Sequence, residues 1–224
     1  MIVLLPVFRP SFHLVELLMA VGDGARVVVV DDGSGTQGAS IFDTVRERGG
    51  TVLSHPVNRG KGAALKTGFA HIAQTWPDSA VVCADGDGQH SAEDIRRVAR
   101  HTEVTGHITL GARRFGSGVP LRSRFGNLFT AALFQTASGT RIRDTQTGLR
   151  AFPAALLPWL LTVPGDGFDY EMQVLLAAIK NGQPIDEVDI ATTYLNGNAS
   201  SHFGALSDSA RVYRPLLRSI TRRQ

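Results

Sequence analysis

The sequence is short of cysteine, of lysine and of long apolar runs. Its single cysteine, Cys83, excludes an internal disulfide and any zinc site built on several thiolates. Cys83 lies in the apolar run Ala80–Ala84, where a buried, inert thiol is expected. No stretch reaches the ~18–20 apolar residues that a membrane-crossing helix needs. The N-terminus, MIVLLPVFRP, has neither a basic leading region nor a small-residue cleavage site. It reads as a first strand and not as a signal peptide. These absences point to the cytoplasm. Lysine stands only at Lys61, Lys66 and Lys180, so nearly all positive charge is arginine, and the formal net charge is only +3. No nucleic-acid partner is expected. No internal repeat, low-complexity tract or linker interrupts the chain.

What is present is enough for one sizeable core. The chain has 224 residues, of which 43% are hydrophobic, and its length suits a single α/β domain. Apolar, β-branched runs predict strands at Ile2–Phe8, Arg26–Val30, Thr51–Ser54, Ala80–Ala84, Ile108–Ala112 and Ile185–Thr192. Amphipathic stretches near 11–21, 38–48, 61–75, 91–104, 124–137, 169–181 and 205–222 alternate with them. That alternation predicts an α/β fold: a Rossmann-like, mostly parallel sheet with helices on both faces. Residues 1–210 are expected to form the domain and 211–224 a basic amphipathic tail. Ligands of such sheets bind beyond the carboxyl ends of the strands. The acidic motifs fall there: Asp31–Asp32 after the second strand and Asp85–Asp87 after the fourth.

The pair Asp85 and Asp87, in VVCADGDGQH, is the most pointed of these. Two carboxylates one residue apart repel, and a cation between them removes the conflict. The spacing is not that of a calcium loop, because His90 stands where Gly is needed and Arg96 where Glu is needed. With the amide oxygen of Gln89 the two form an all-oxygen, open site, suited to Mg²⁺ or Mn²⁺. A solvated acidic turn is the bland alternative. VVVVDDGSGTQG holds a G-x-G-x-x-G at Gly33, Gly35 and Gly38, but Asp31 and Asp32 stand where a pyrophosphate needs neutral donors. The acid expected about 20 residues on is also missing. A carboxylate here accepts hydrogen bonds from a base or ribose, or caps a helix. NRGKGAALKTGF (58–69) departs from a Walker loop at His55 and Gly62. It remains a glycine-rich helix start with Lys61, able to hold a phosphate or sugar hydroxyl. In GDGFDYEMQV, Asp169 and Glu171 open a helix: dipole partners, or a catalytic or substrate-positioning carboxylate. His202 reads as structural.

In order, VVDDGS, NRGKGAALKTGF, ADGDGQH, GARRFG, RFGN, DTQTGLRAF, GFDYE, EVDIATTY and SHF resemble the dolichol-phosphate-mannose-synthase-like group of family-2 glycosyltransferases, from residue 2 to about 210. The resemblance implies a GT-A fold, a nucleotide-sugar donor of the GDP-mannose or UDP-glucose type, and a divalent metal at a D-x-D motif. It also implies inversion at the anomeric carbon and a polyprenyl-phosphate acceptor. Carried over, Asp85, Asp87 and Gln89 ligate Mg²⁺ or Mn²⁺. Pro6 and Asp32 contact base and ribose, with Asn58, Lys61 and Asp85 beside them. Arg113 and Arg124 hold the acceptor phosphate. A soluble acceptor is the alternative, with Asp169 as general base; a catalytically inactive nucleotide-sugar-binding protein is another. The usual Pro-x-Tyr-Asn-Glu at the end of the first strand is replaced by PVFRP, and the usual Ala of the D-x-D by Gly86.

Two stripes bear on membrane contact. Leu128, Phe129, Leu133 and Phe134 share a helical region flanked by Arg122 and Arg124. The last fifteen residues, ARVYRPLLRSITRRQ, carry five arginines and no acid, with Val212, Tyr213, Leu216, Leu217 and Ile220 at helical spacing. An apolar stripe with a basic face lies at a lipid surface. Peripheral attachment at the inner face of the cell membrane is expected, with packing on the domain or a homodimer contact as the alternative.

Overall fold

The computed structural model describes residues 1–22, 24–113, 121–191 and 216, without the side chains of 121–126. Its strands are β1 (Ile2–Val7), β2 (Arg26–Asp31), β3 (Thr51–Ser54), β4 (Val81–Cys83), β5 (Ile108–Arg113), β6 (Arg150–Phe152) and β7 (Ile185–Ile190). Its helices are α1 (His13–Val21), α2 (Ala39–Glu47), α3 (Lys61–Thr75), α4 (Ala92–Thr105), α5 (Leu121–Ser138), α6 (Leu157–Thr162) and α7 (Asp169–Lys180). The strand order is β3-β2-β1-β4-β6-β5-β7. β6 runs antiparallel to both of its neighbours; every other pairing is parallel.

The run Val27–Val30 is buried throughout, as a parallel strand covered on both faces must be. Along β1 the side chains alternate between two cores. Ile2 and Leu4 meet α3, α5, α6 and α7, including Phe69, Phe134, Leu160 and Leu175. Val3, Leu5 and Val7 meet α1, α2 and α4, including Leu14, Phe42 and Ile95. The period of two sorts one strand into two layers. Ser91 opens α4 as a true cap, its hydroxyl accepting from the Asp94 N–H at 3.0 Å.

Six of the seven strands and six of the seven helices match the expected positions within a few residues. β6 and α6 have no counterpart among the expected elements. The expected helix at 205–222 lies outside the described residues, apart from Leu216. The glycines after β2 form a turn and a short 3-10 segment, Gly35–Gly38, leading into α2.

The reversed direction of β6 decides where one loop ends up. Arg150, its first residue, pairs with Cys83, the last of β4. The loop 144–149 therefore arrives at the same edge as the carboxyl ends of β1, β2, β4 and β5.

Candidate active site

Asp85 and Asp87 follow β4 at that edge. Asp85 Oδ1 lies 2.8 Å from the Lys61 ammonium. Its other oxygen faces Gly148, where any side chain would collide with the carboxylate. Burial pushes the Asp85 carboxyl up, but Lys61 and then His90 more than reverse this, and it stands below the usual range. Asp87 has no ion pair among the described residues; its Oδ1 accepts the Gln89 N–H at 3.1 Å. Burial and the neighbouring Asp85 charge raise its carboxyl above the usual value. His90 is buried, and its Nδ1 has no hydrogen-bond partner among the described residues. Burial lowers its pKa against the pull of Asp85 and Asp87.

This is an under-compensated acidic edge. Two carboxylates and the Gln89 amide offer only oxygen donors, which fits a hard divalent cation keeping positions for water and phosphate. Among the described residues no group of three or more His, Cys, Asp or Glu side chains forms a cage.

Behind Asp85 sits a charge cluster that no local sequence spacing announces. Lys61, the first residue of α3, is 2.8 Å from Glu171 Oε2 as well as from Asp85. Burial works against the Lys61 ammonium, yet Asp85 and Glu171 raise its pKa well above the ordinary lysine value. Glu171 Oε1 stands 3.7 Å from the Arg150 Nε. Arg150, 2% exposed, donates to the backbone oxygens of Thr145, Thr147 and Glu171. Asp169, the expected catalytic carboxylate, accepts the Gly167 N–H at its Oδ1 at 3.1 Å, which closes the turn that opens α7. Cys83 is buried as expected, and burial pushes its thiol up.

Asp32 is 3% exposed and fully engaged. It accepts from His55 Nδ1 at 2.7 Å, the Arg59 N–H at 2.9 Å and the Gly60 N–H at 2.7 Å. His55 in turn meets the Thr67 hydroxyl at 2.9 Å. Asp32, the expected base or ribose contact, ties down loop 55–60, which carries Asn58 and leads into Lys61. Asn58 itself is exposed; Pro6 is half-buried in β1, paired with Val30. Gly33, at φ 79°, lies against the Val57–Asn58 backbone, and a side chain there would strike it. The Arg9 N–H donates to Ser34 Oγ at 2.8 Å, and the Ser34 N–H to Asp31 Oδ1 at 2.8 Å. The loops after β1, β2 and β3 are therefore one braced unit.

On the other side, at the end of β5, Arg113 meets Asp144 in a fork: Nε to Oδ2 at 2.6 Å, and Nη2 to Oδ1 at 3.0 Å. Asp144 is fully buried. The side chain of Arg124 lies outside the described residues. Of the apolar α5 residues, Leu128 and Phe129 are 61% and 58% exposed, whereas Phe134 is fully buried and Leu133 packs on the core. In the tail, Leu216 is fully buried in the core that α7 also lines; the other residues of that stripe, and His202, lie outside the described set.

The carboxylates that follow β4 thus have a lysine at their back, and an arginine stands at the end of β5, two strands away. A family model described as glycosyl transferase family 2 matches residues 14–158. The chain is a family-2 glycosyltransferase. Among its relatives is a UDP-N-acetylglucosamine–dolichyl-phosphate N-acetylglucosaminyltransferase of Methanococcus voltae, 31% identical over 63% of this chain and 59% of that one. An undecaprenyl-phosphate 4-deoxy-4-formamido-L-arabinose transferase of Edwardsiella ictaluri is 27% identical over 71% of this chain and 50% of that one. This glycosyltransferase thus spans only half to three-fifths of those two relatives. The GT-A fold is shared with glucosyl-3-phosphoglycerate synthase of Mycobacterium tuberculosis, solved with Mn²⁺, UDP and phosphoglyceric acid (TM-score 0.67, 22% identity, 98% of this chain and 78% of that one). A mannosyltransferase of Pyrobaculum calidifontis, solved with GDP-Man and Mn²⁺, follows at TM-score 0.59, 16% identity, and 97% and 68% coverage. No helix of this glycosyltransferase is long and apolar enough to cross a membrane, among the described residues.

Proposed function

We propose that this glycosyltransferase moves a hexose from a nucleotide-sugar of the GDP-mannose or UDP-glucose type to a polyprenyl phosphate, with inversion at the anomeric carbon. Residues 1–210 act as one catalytic unit. The observation that carries the reading is the arrangement at the sheet's carboxyl edge: Asp85 and Asp87 at the end of β4, and the Arg113–Asp144 fork at the end of β5 two strands away. One end offers carboxylates to a cation, the other a guanidinium to an anion. The similarity to two lipid-phosphate transferases supports the acceptor class.

Asp85, Asp87 and Gln89 hold Mg²⁺ or Mn²⁺, which when bound offsets the charge of the diphosphate leaving group. Pro6 in β1, Asn58 in the loop that Asp32 braces and Lys61 at the start of α3 receive the nucleotide. A phosphate acceptor is already ionised near neutral pH, so it needs positioning more than deprotonation. Arg113, with Arg124, supplies that; Asp144 fixes the plane of the Arg113 guanidinium, the geometry that suits a phosphate. An acceptor oxygen attacks the anomeric carbon from the face opposite the diphosphate. The C–O bond to the diphosphate breaks, and its electron pair leaves with the nucleoside diphosphate.

Contact with the lipid comes from the side. The exposed pair Leu128 and Phe129 on α5 would meet it, with the arginines of 211–224 adding attraction to anionic lipid. An acceptor screen tests the proposal. Each donor is offered polyprenyl phosphate and, separately, 3-phosphoglycerate. Transfer to the lipid is expected. Transfer to phosphoglycerate alone would make the acceptor a soluble one and leave Arg113 to a different phosphate.

A further inference from the structure

We propose that Glu171 is a positioning residue for the donor site: it holds the Lys61 ammonium from the side opposite Asp85 and so fixes where the Asp85 carboxylate stands. This rests on the reading of Asp85 and Asp87 as the donor and metal end of the site.

The geometry has few free parts. One ammonium is shared by two carboxylates, each at 2.8 Å. Lys61, Asp85 and Glu171 come from the starts of α3 and α7 and the end of β4. Nothing local in the chain keeps them together. Glu171 is anchored again by Arg150, whose guanidinium is clamped by the backbone oxygens of Thr145, Thr147 and Glu171. Asp85 has one oxygen on Lys61, and the other has only the space a glycine at 148 leaves it. The Asp85 carboxylate is therefore set by what sets Lys61.

Charge gives the same answer. Lys61 and Arg150 balance Asp85 and Glu171, which leaves Asp87 outside the balance, facing the open edge. With Glu171 neutralised, the Lys61 ammonium has Asp85 as its one close anion. It then binds that carboxylate more strongly, at the same 2.8 Å, and competes for the oxygens that a cation and a donor need. A carboxylate kept only for packing or stability would not do this. Its loss would lower the unfolding temperature and leave nucleotide affinity in the folded protein unchanged.

The test is calorimetric titration of the full chain with UDP and with GDP at saturating Mn²⁺, for wild type, Glu171→Gln, Lys61→Gln and the double variant. Far-UV circular dichroism confirms folding. Groups that orient a metal site from behind typically contribute about 10- to 100-fold in affinity. Glu171→Gln is expected to weaken the better-bound nucleotide by that much. The double variant is expected to bind no more weakly than Lys61→Gln alone, because Glu171 acts through Lys61. Should Glu171→Gln fail to fold, Glu171→Asp, which keeps the charge but is one methylene short, is expected to show the same loss. Wild-type affinity in the folded variant, or losses that simply add in the double variant, would overturn the proposal. If wild type binds neither nucleotide with Mn²⁺, the donor-site reading falls and this proposal falls with it.

Discussion

Asp32→Ala should cost this protein stability as well as donor binding. The Asp32 carboxylate accepts three hydrogen bonds at 2.7, 2.9 and 2.7 Å, two of them from backbone N–H groups of the loop into α3. Its side chain is 5% exposed, so water does not replace these partners in the native state. Hydrogen bonds to a charged group contribute about 1.5–3 kcal/mol each. Part of that is recovered as the Arg59–Gly60 turn relaxes toward solvent, and a net loss of about 4 kcal/mol is expected. For a chain of this size that lowers the unfolding temperature by about 10 °C. Asp32→Asn keeps one acceptor but turns an amide N–H toward the donors, and about half the loss is expected. Urea unfolding followed by far-UV circular dichroism measures both. Because the same loop presents Asn58 and Lys61, the KM for the nucleotide-sugar rises more than kcat falls. A stability loss below about 1 kcal/mol, the range of an ordinary surface change, would refute the bracing role.

Asp87→Asn should abolish Mn²⁺-dependent transfer, with a turnover loss of at least about 100-fold; it should leave the unfolding temperature unchanged or slightly raised, since Asp87 has no ion pair among the described residues and its charge is disfavoured by burial and by Asp85. Thermal unfolding beside a steady-state assay checks both halves. Arg113→Ala should raise the KM for polyprenyl phosphate by about tenfold or more while leaving the nucleotide-sugar KM within about twofold, because a charge-assisted phosphate contact is lost and the donor end is untouched. Sedimentation with anionic vesicles should pellet the protein at low salt and release it at high salt; no pelleting at low salt would remove the peripheral-membrane reading.

How much of this the sequence could show depends on how local each feature is. β1, β2 and β5 are apolar runs bounded by turn residues, and each is legible by itself. β6 is three residues long, RAF, and pairs antiparallel with β4 on one side and β5 on the other. Nothing in DTQTGLRAF states that. α6, LPWLLT, is under two turns and has no periodicity to read. The Asp85–Asp87 pair was legible because strand end, charge repulsion and glycine coincide within six residues. The Lys61–Asp85–Glu171–Arg150 cluster was not, because four separate segments contribute one charge each. Glu171 was visible only as an acid in a helix's first turn, where Asp169 fits the same description. His55 carried no signal at all; its place under Asp32 depends on the β2–β3 pairing. The split of the α5 stripe into the exposed Leu128 and Phe129 and the buried Phe134 likewise depends on what packs against the helix.

The central claim is metal-dependent transfer from a nucleotide-sugar held at Asp85 and Asp87 to a lipid phosphate. The measurement that tests it most directly is release of nucleoside diphosphate from labelled GDP-mannose and UDP-glucose in the presence of polyprenyl phosphate vesicles, with the label counted in the lipid extract. For at least one donor, label is expected to enter the lipid in step with diphosphate release when Mn²⁺ is present. Both are expected to stop when the metal is chelated. No lipid-borne label with either donor, or an undiminished rate under chelation, would contradict it.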